Sequence, residues 1–206
     1  MIAIVDYGVG NLFSLKSSLA MIGAEAVVTG DEQVIENSER IILPGVGAFS
    51  DARRKLTDIG LDRVVIDQAG RGKPLMGICL GMQMLFEKSY EYGEHEGLSL
   101  IEGSIVPLAG RIDPALKVPH IGWNALAIRE GGHPLLKYVK NGDCVYFVHS
   151  YYAAANGKNV IATAEYGVDV TAAVAKDNVM GCQFHPEKSG DVGLNILRAF
   201  CEEDAV

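Results

Sequence analysis

Cys79, His185 and Glu187 are the residues of this chain whose types and settings suit covalent chemistry. Cys79 stands in "GICLGMQ" (77–83), with a glycine two places away on each side. G-x-C-x-G has the form of the nucleophile elbow G-x-S-x-G, with sulfur in place of oxygen. A tight strand-to-helix turn presses backbone against backbone, so a Cβ at Gly77 or Gly81 would clash. The turn exposes its nucleophile at the carboxyl edge of a sheet. The helix that starts at Leu80 aims N–H groups and partial positive charge at the sulfur, which favours thiolate. It also offers the Leu80 N–H as an oxyanion donor. Taken alone, Cys79 reads equally well as a small apolar core residue.

A nucleophile needs a base, and "GCQFHPEKS" (181–189) supplies a candidate. A strand over "VMGCQF" runs into His185, and Pro186 stops it so that the His and Glu side chains converge at a sheet edge. His185 can take the thiol proton and return it to a leaving group, while Glu187 fixes its tautomer. Singly, His185 reads as a surface loop histidine and Glu187 as a solvated acid. Together with an elbow cysteine they are a constellation. No further ligands stand at helix or hairpin spacing nearby, so neither a metal nor a cofactor is expected. Cys182 is mid-strand with no elbow around it and reads as core.

Hydrophobic patterning supplies the elements that must position these residues. Strands are expected at 2–7, 25–30, 40–45 and 73–79, and helices at 12–23, 50–59, 61–71 and 80–89. Short apolar strands alternating with helices predict a parallel sheet covered on both faces. The second half changes character. "GSIVPL", "NALAIRE", "CVYFVHSYY", "VIATAEY", "VTAAVAKDN" and "VMGCQFHP" read as closely spaced strands, with a hairpin turn at Asp177-Asn178. They predict an antiparallel or mixed extension of the same sheet, closed by a helix over 191–203. No linker or repeat divides the chain, so residues 1–206 read as a single α/β domain.

Composition narrows the function classes. The 206 residues are 49% hydrophobic and 21% charged, with a net charge of −8. That is an ordinary globular balance, and its acidity argues against nucleic acid as a partner. No apolar stretch reaches the roughly 20 residues that span a bilayer, so no membrane partner is expected. "MIAIVDYG" lacks the basic start of a signal peptide. Cysteines at 79, 144, 182 and 201 form no C-x-x-C pair. A reducing, cytoplasmic location is therefore expected.

Cys79 within "GICLGMQ" and His185 with Glu187 within "FHPE" resemble the triad of the class I glutamine amidotransferases. The resemblance implies a flavodoxin-like, mostly parallel sheet flanked by helices, and hydrolysis of the glutamine side-chain amide through a Cys79 thioester. "DYGVGNL" (6–12), "LPGVGAF" (43–49), "GLSLIEG" (97–103), "PHIGWN" (119–124) and "YFVHSYY" (146–152) together resemble the glutaminase subunit of imidazole glycerol phosphate synthase, of histidine biosynthesis. On that resemblance the Gly45–Val46 peptide is a second oxyanion donor that a peptide flip would bring into place. Gly47 and Gln83 contact glutamine, and backbone groups of Ser150 and Tyr151 hold its amino-acid end. Trp123 and Tyr146 lie at an interface, and Lys188 reaches an acid on the partner. The implied partner is a (β/α)8 cyclase barrel, which uses the ammonia to convert PRFAR into imidazole glycerol phosphate and AICAR. Two alternatives stay open: the glutaminase subunit of another pathway, and an unrelated cysteine hydrolase. His120 and His149 are read as structural or interface residues, and His95 and His133 as surface loop residues. "DYGVGN" lacks the G-x-G-x-x-G spacing of a dinucleotide loop and is left without a role of its own.

Overall fold

Strands buried on both faces must be apolar at every position, and helices that cover them need one apolar stripe. The computed structural model describes residues 1–155 and 157–202, and the central strands of its first half meet the first requirement. It runs β1 (Ile2–Val5), α1 (Leu12–Met21), β2 (Ala26–Thr29), α2 (Glu32–Asn37), β3 (Arg40–Leu43), α3 (Phe49–Asp58), α4 (Leu61–Gly70), β4 (Leu75–Ile78) and α5 (Leu80–Met84). The second half is strand-rich. It contains β5 (Phe86–Ser89), β6 (His95–Glu96), β7 (Ile101–Pro107), β8 (His120–Ala125), β9 (Ala127–Ile128), β10 (Cys144–His149) and β11 (Tyr151–Ala155). β12 (Val160–Glu165), β13 (Asp169–Lys176), β14 (Val179–Cys182) and α6 (Gly190–Glu202) follow.

The main sheet has the order β2-β1-β3-β4-β14-β13-β12-β9. The five strands from β2 to β14 are mutually parallel, and the three beyond are antiparallel. β1, β4 and β14 are buried at every residue. Alternation then divides the core into two. Ile2 and Ile4 pack with Leu15, Leu19, Leu197 and Phe200 on one face. Ala3 and Val5 pack with Leu56, Leu61 and Val65 on the other. Each of these side chains larger than alanine stabilises the fold by about 1.5–3 kcal/mol when removed from water.

The strands left out of the main sheet correct the sequence reading. β10 pairs with β8 alone, and β11 joins β7, β5 and β6 in a separate four-stranded sheet. The run "CVYFVHSYY" is therefore two strands broken at Ser150, not one. The helix expected over 80–89 ends at Met84, and Phe86–Ser89 is a strand with buried ends and exposed middle. It pairs with β7, so a non-local ladder overrides local helical patterning. The strand expected to run into His185 stops at Cys182. α2 escaped the sequence reading, although Asp31 caps it by accepting from the Gln33 and Val34 N–H groups at 2.8 and 3.2 Å. Asp177 turns the β13–β14 hairpin with φ +52°, as expected of that dipeptide.

Candidate active site

β4 delivers Cys79 to the carboxyl edge of the sheet, and the chain turns into α5 within that one residue. Cys79 takes φ +54° and ψ −112°, a conformation that costs an L residue about 1–3 kcal/mol. It is held there by its N–H to the Cys182 carbonyl at 2.8 Å and by its carbonyl, which accepts the Gln83 N–H at 3.1 Å. The flanking glycines make the turn possible. A Cβ on Gly77 would lie 2.6 Å from Met82 Cα, and one on Gly81 would lie 1.8 Å from the Leu43 carbonyl oxygen.

His185 arrives from the neighbouring strand. β14 pairs with β4 in parallel, Gly181 beside Gly77 and Cys182 beside Ile78, so both chains leave the sheet at the same edge. The His185 N–H is fixed to the Tyr146 carbonyl at 3.0 Å. The Ser189 hydroxyl donates to the His185 carbonyl at 2.6 Å. Pro186–Lys188 form one 3-10 turn that folds Glu187 back, and its Oε1 accepts from His185 Nδ1 at 2.8 Å. Nε2 is left to face the sulfur. Burial lowers the imidazole's proton affinity, but hydrogen bonds to Cys79 and Glu187 outweigh it and raise the pKa to about 9. Glu187 Oε2 is buried without a hydrogen-bond partner among the described residues. The carboxylate borders a void of about 10 Å³ that Asn11 and Gly45 also line.

Cys79 and His185 open onto a cavity of about 370 Å³, with Glu187 behind the imidazole and outside its lining. Val46, Gly47, Leu80, Gln83, Ser150 and Tyr151 line it, and so does Lys188, which sequence reading placed at an interface. Gly45 lies beneath, where an added Cβ would stand 2.8 Å from the Gly81 nitrogen. Trp123 and Tyr146 lie outside the cavity as cross-strand neighbours, rings edge to face at 6.2 Å. Lys188 Nζ stands 5.9 Å from the Tyr146 ring centre. Ile121 and Trp123, both 58% exposed, share the outer face of β8.

The cavity wall is a hydrogen-bonded relay. Gln83 donates to the Tyr151 carbonyl and to Gln183 Oε1, both at 3.0 Å, so its amide N–H groups are committed to the protein. Gln183 Nε2 points back to Cys79 Sγ at 3.8 Å. His149 Nδ1 lies 2.9 Å from the Tyr151 carbonyl and must donate to it. His149 Nε2 therefore accepts from His120 Nδ1 at 3.0 Å. The Tyr151 carbonyl thus already receives two donors. Burial, with His120 alongside, depresses the pKa of His149 to about 3, so the pair is neutral.

A family model described as glutamine amidotransferase class-I matches residues 3–203. The chain belongs to the class I glutamine amidotransferases. Its curated relatives include the imidazole glycerol phosphate synthase subunit HisH of Caldanaerobacter subterraneus subsp. tengcongensis, 51% identical over 203 residues and 98% of both chains. HisH of Methanothermobacter thermautotrophicus is 48% identical over 98% of both chains. Among solved structures, a glutamine amidotransferase superposes with TM-score 0.75 at 20% identity, over 98% of this chain and 100% of the other. PurLQS from Thermotoga maritima superposes with TM-score 0.73 at 21% identity, over 97% and 96%. At that identity the structural likeness concerns the fold.

Sequence reading gave no substrate-site role to His149 and Glu91, which line the cavity, or to Gln183, which is buried behind it. His149, assigned a structural or interface role, lines the cavity. Gln183 stands two places before His185, and that spacing was the available signal. Glu91 lines the cavity from a loop and accepts the Phe49 N–H at 2.6 Å. Its acid-rich surroundings, "YEYGEHEG", carry no pattern that singles it out. Of the two histidines read as surface loop residues, His95 departs from that reading and His133 keeps to it. His95 lies in the short strand β6, and His133 caps a 3-10 turn by accepting the Leu135 N–H at 3.1 Å.

Proposed function

We propose that this amidotransferase is the glutaminase of an imidazole glycerol phosphate synthase, with residues 1–206 acting as one cytoplasmic domain. The observation that carries the chemistry is His185, bonded at Nδ1 to Glu187 and hydrogen-bonded to Cys79 beside a cavity roomy enough for glutamine. The Cys79 thiolate attacks the side-chain carboxamide carbon. The oxyanion that forms is met by the Leu80 N–H and by the Val46 N–H of the Gly45–Val46 peptide. The His185 imidazolium gives its Nε2 proton to the departing nitrogen, and ammonia leaves a γ-glutamyl thioester. Neutral His185 then takes a proton from water, whose oxygen attacks the thioester and releases glutamate and the thiol. Loss of one oxyanion donor typically costs about 10² to 10³ in rate.

The substrate's charged end fits the far side of the cavity. The Glu91 carboxylate supplies a counter-charge for an α-ammonium, and backbone groups of Ser150 and Tyr151 are candidates for the α-carboxylate. Since the Tyr151 carbonyl is already filled, its N–H is the group that remains to it. Gly47 flanks the side chain, and Gln83 offers its carbonyl oxygen.

Ammonia released into water would be wasted, so the reading includes a cyclase (β/α)8 barrel in a heterodimer, with ammonia passed through the barrel to convert PRFAR into imidazole glycerol phosphate and AICAR, a lyase step. What supports the docking face is the apolar pair Ile121 and Trp123 on β8, with Tyr146 and Lys188 beside them. The names of the HisH relatives favour this acceptor over another pathway's. The test is glutamate release by the purified chain, alone and with a cyclase barrel, with and without the barrel's nucleotide. A large rise with liganded barrel is expected. Full activity alone, or none with any barrel, would overturn the reading.

A further inference from the structure

The loop "DYGVGN" after β1 lacks a role in the chemistry above, yet it touches the oxyanion loop at two points. The Tyr7 hydroxyl, on a residue only 4% exposed, donates to the Pro44 carbonyl at 2.6 Å. Gly10 approaches the same residue, since a Cβ there would lie 3.2 Å from both Pro44 Cβ and Cγ. Gly45 is held between Tyr7 and the elbow. An added Cβ would stand 2.9 Å from Tyr7 Oη on one side, and 3.0 Å from Leu80 Cβ on the other.

We infer that Tyr7 is a positioning residue for glutamine hydrolysis, a latch that pins the Pro44–Gly45 peptide and confines movement of the oxyanion loop to the peptide that follows. A flip of the Gly45–Val46 peptide rotates ψ of Gly45 and φ of Val46 and leaves the preceding peptide plane where it is. That plane is the frame from which the Val46 N–H is aimed. The Tyr7 hydrogen bond fixes the frame from below, and the elbow residues Leu80 and Gly81 fix it from the side. Without the hydroxyl the Pro44 carbonyl loses its partner and the frame tilts, so the donor misses the developing oxyanion while the thiol and its base stay as they were.

The inference deepens the proposed glutaminase reading, and Tyr7→Phe tests it because it removes one oxygen and keeps the ring. Backbone hydrogen exchange over residues 43–49 should accelerate about tenfold, the equivalent of one lost hydrogen bond, with the rest of the chain unchanged. In the complex with the liganded cyclase barrel, kcat for glutamate release should fall about tenfold and KM stay within twofold. Alkylation of Cys79 by iodoacetamide, which needs the thiolate but no oxyanion hole, should keep the parent's rate. Unchanged exchange in the loop would overturn the latch. So would exchange accelerated equally across the sheet, or alkylation slowed as much as kcat, because either marks a general structural role. The exchange measurement stands whether or not the parent hydrolyses glutamine, so failure of the glutaminase reading is told apart from failure of the latch.

Discussion

Glu187 meets His185 through one carboxylate oxygen at 2.8 Å, with both side chains only 3% exposed, and keeps its other oxygen buried without a partner among the described residues. The imidazole is therefore the hydrogen-bond donor that the carboxylate faces, and a charged carboxylate favours its protonated form. Glu187→Gln keeps an acceptor for Nδ1 and removes the charge. Its pH–rate profile should show the His185 limb moved down from about 9, and kcat should fall at least about 100-fold. An unmoved limb would show that Glu187 does not support the charged imidazole.

Two glycines of the site separate close approach from backbone conformation. Alanine at position 81 would drive its Cβ to 1.8 Å from the Leu43 carbonyl oxygen, so Gly81→Ala should cost at least about 3 kcal/mol of stability. Alanine at position 47 meets nothing within 4 Å and suffers only from φ +92°. Gly47→Ala should cost about 1 kcal/mol. Denaturant midpoints of the two variants measure the contrast. Equal losses would contradict the packing account.

His185 and His149 bend the stability curve in opposite directions. The folded pKa of His185 is raised to about 9, so its contribution is whole below 6.5 and is lost as pH rises through 9. The folded pKa of His149 is depressed to about 3, so its contribution is whole above 6.5 and is lost as pH falls toward 3. The acid side should cost about 2 kcal/mol by pH 5. His149→Gln should flatten the acid limb and His185→Asn the alkaline one, read as unfolding free energy from pH 5 to 9. A level parent curve would contradict both assignments.

Trp123 is the one tryptophan of the sequence and is 58% exposed. Its emission should be that of a wetted indole in the free chain and should shift to the blue on docking of the cyclase barrel. Titration with barrel and no shift would place the interface elsewhere on the chain.

Much of this was legible because particular residues report a single environment. The all-apolar runs of β1, β4 and β14 suit only strands buried on both faces, and they form the sheet that carries the site. The glycines around Cys79 announce a turn that no other residue permits. Contacts between distant segments announce nothing locally. Tyr7 on Pro44, Gln183 on Cys79 and Glu91 on Phe49 depend on where loops meet. β5 reads as helix because its partner β7 is what makes it a strand.

β14 enters the sheet between β4 and β13, two strands that precede it in the chain. During synthesis the thiol of Cys79 thus leaves the ribosome well before His185 and Glu187, and its strand has no neighbour on that side until β14 slots in. Until then the sulfur lacks both its base and the Cys182 carbonyl that fixes its backbone. The strand insertion that completes the central sheet is therefore also the step that brings the nucleophile its base and its backbone anchor.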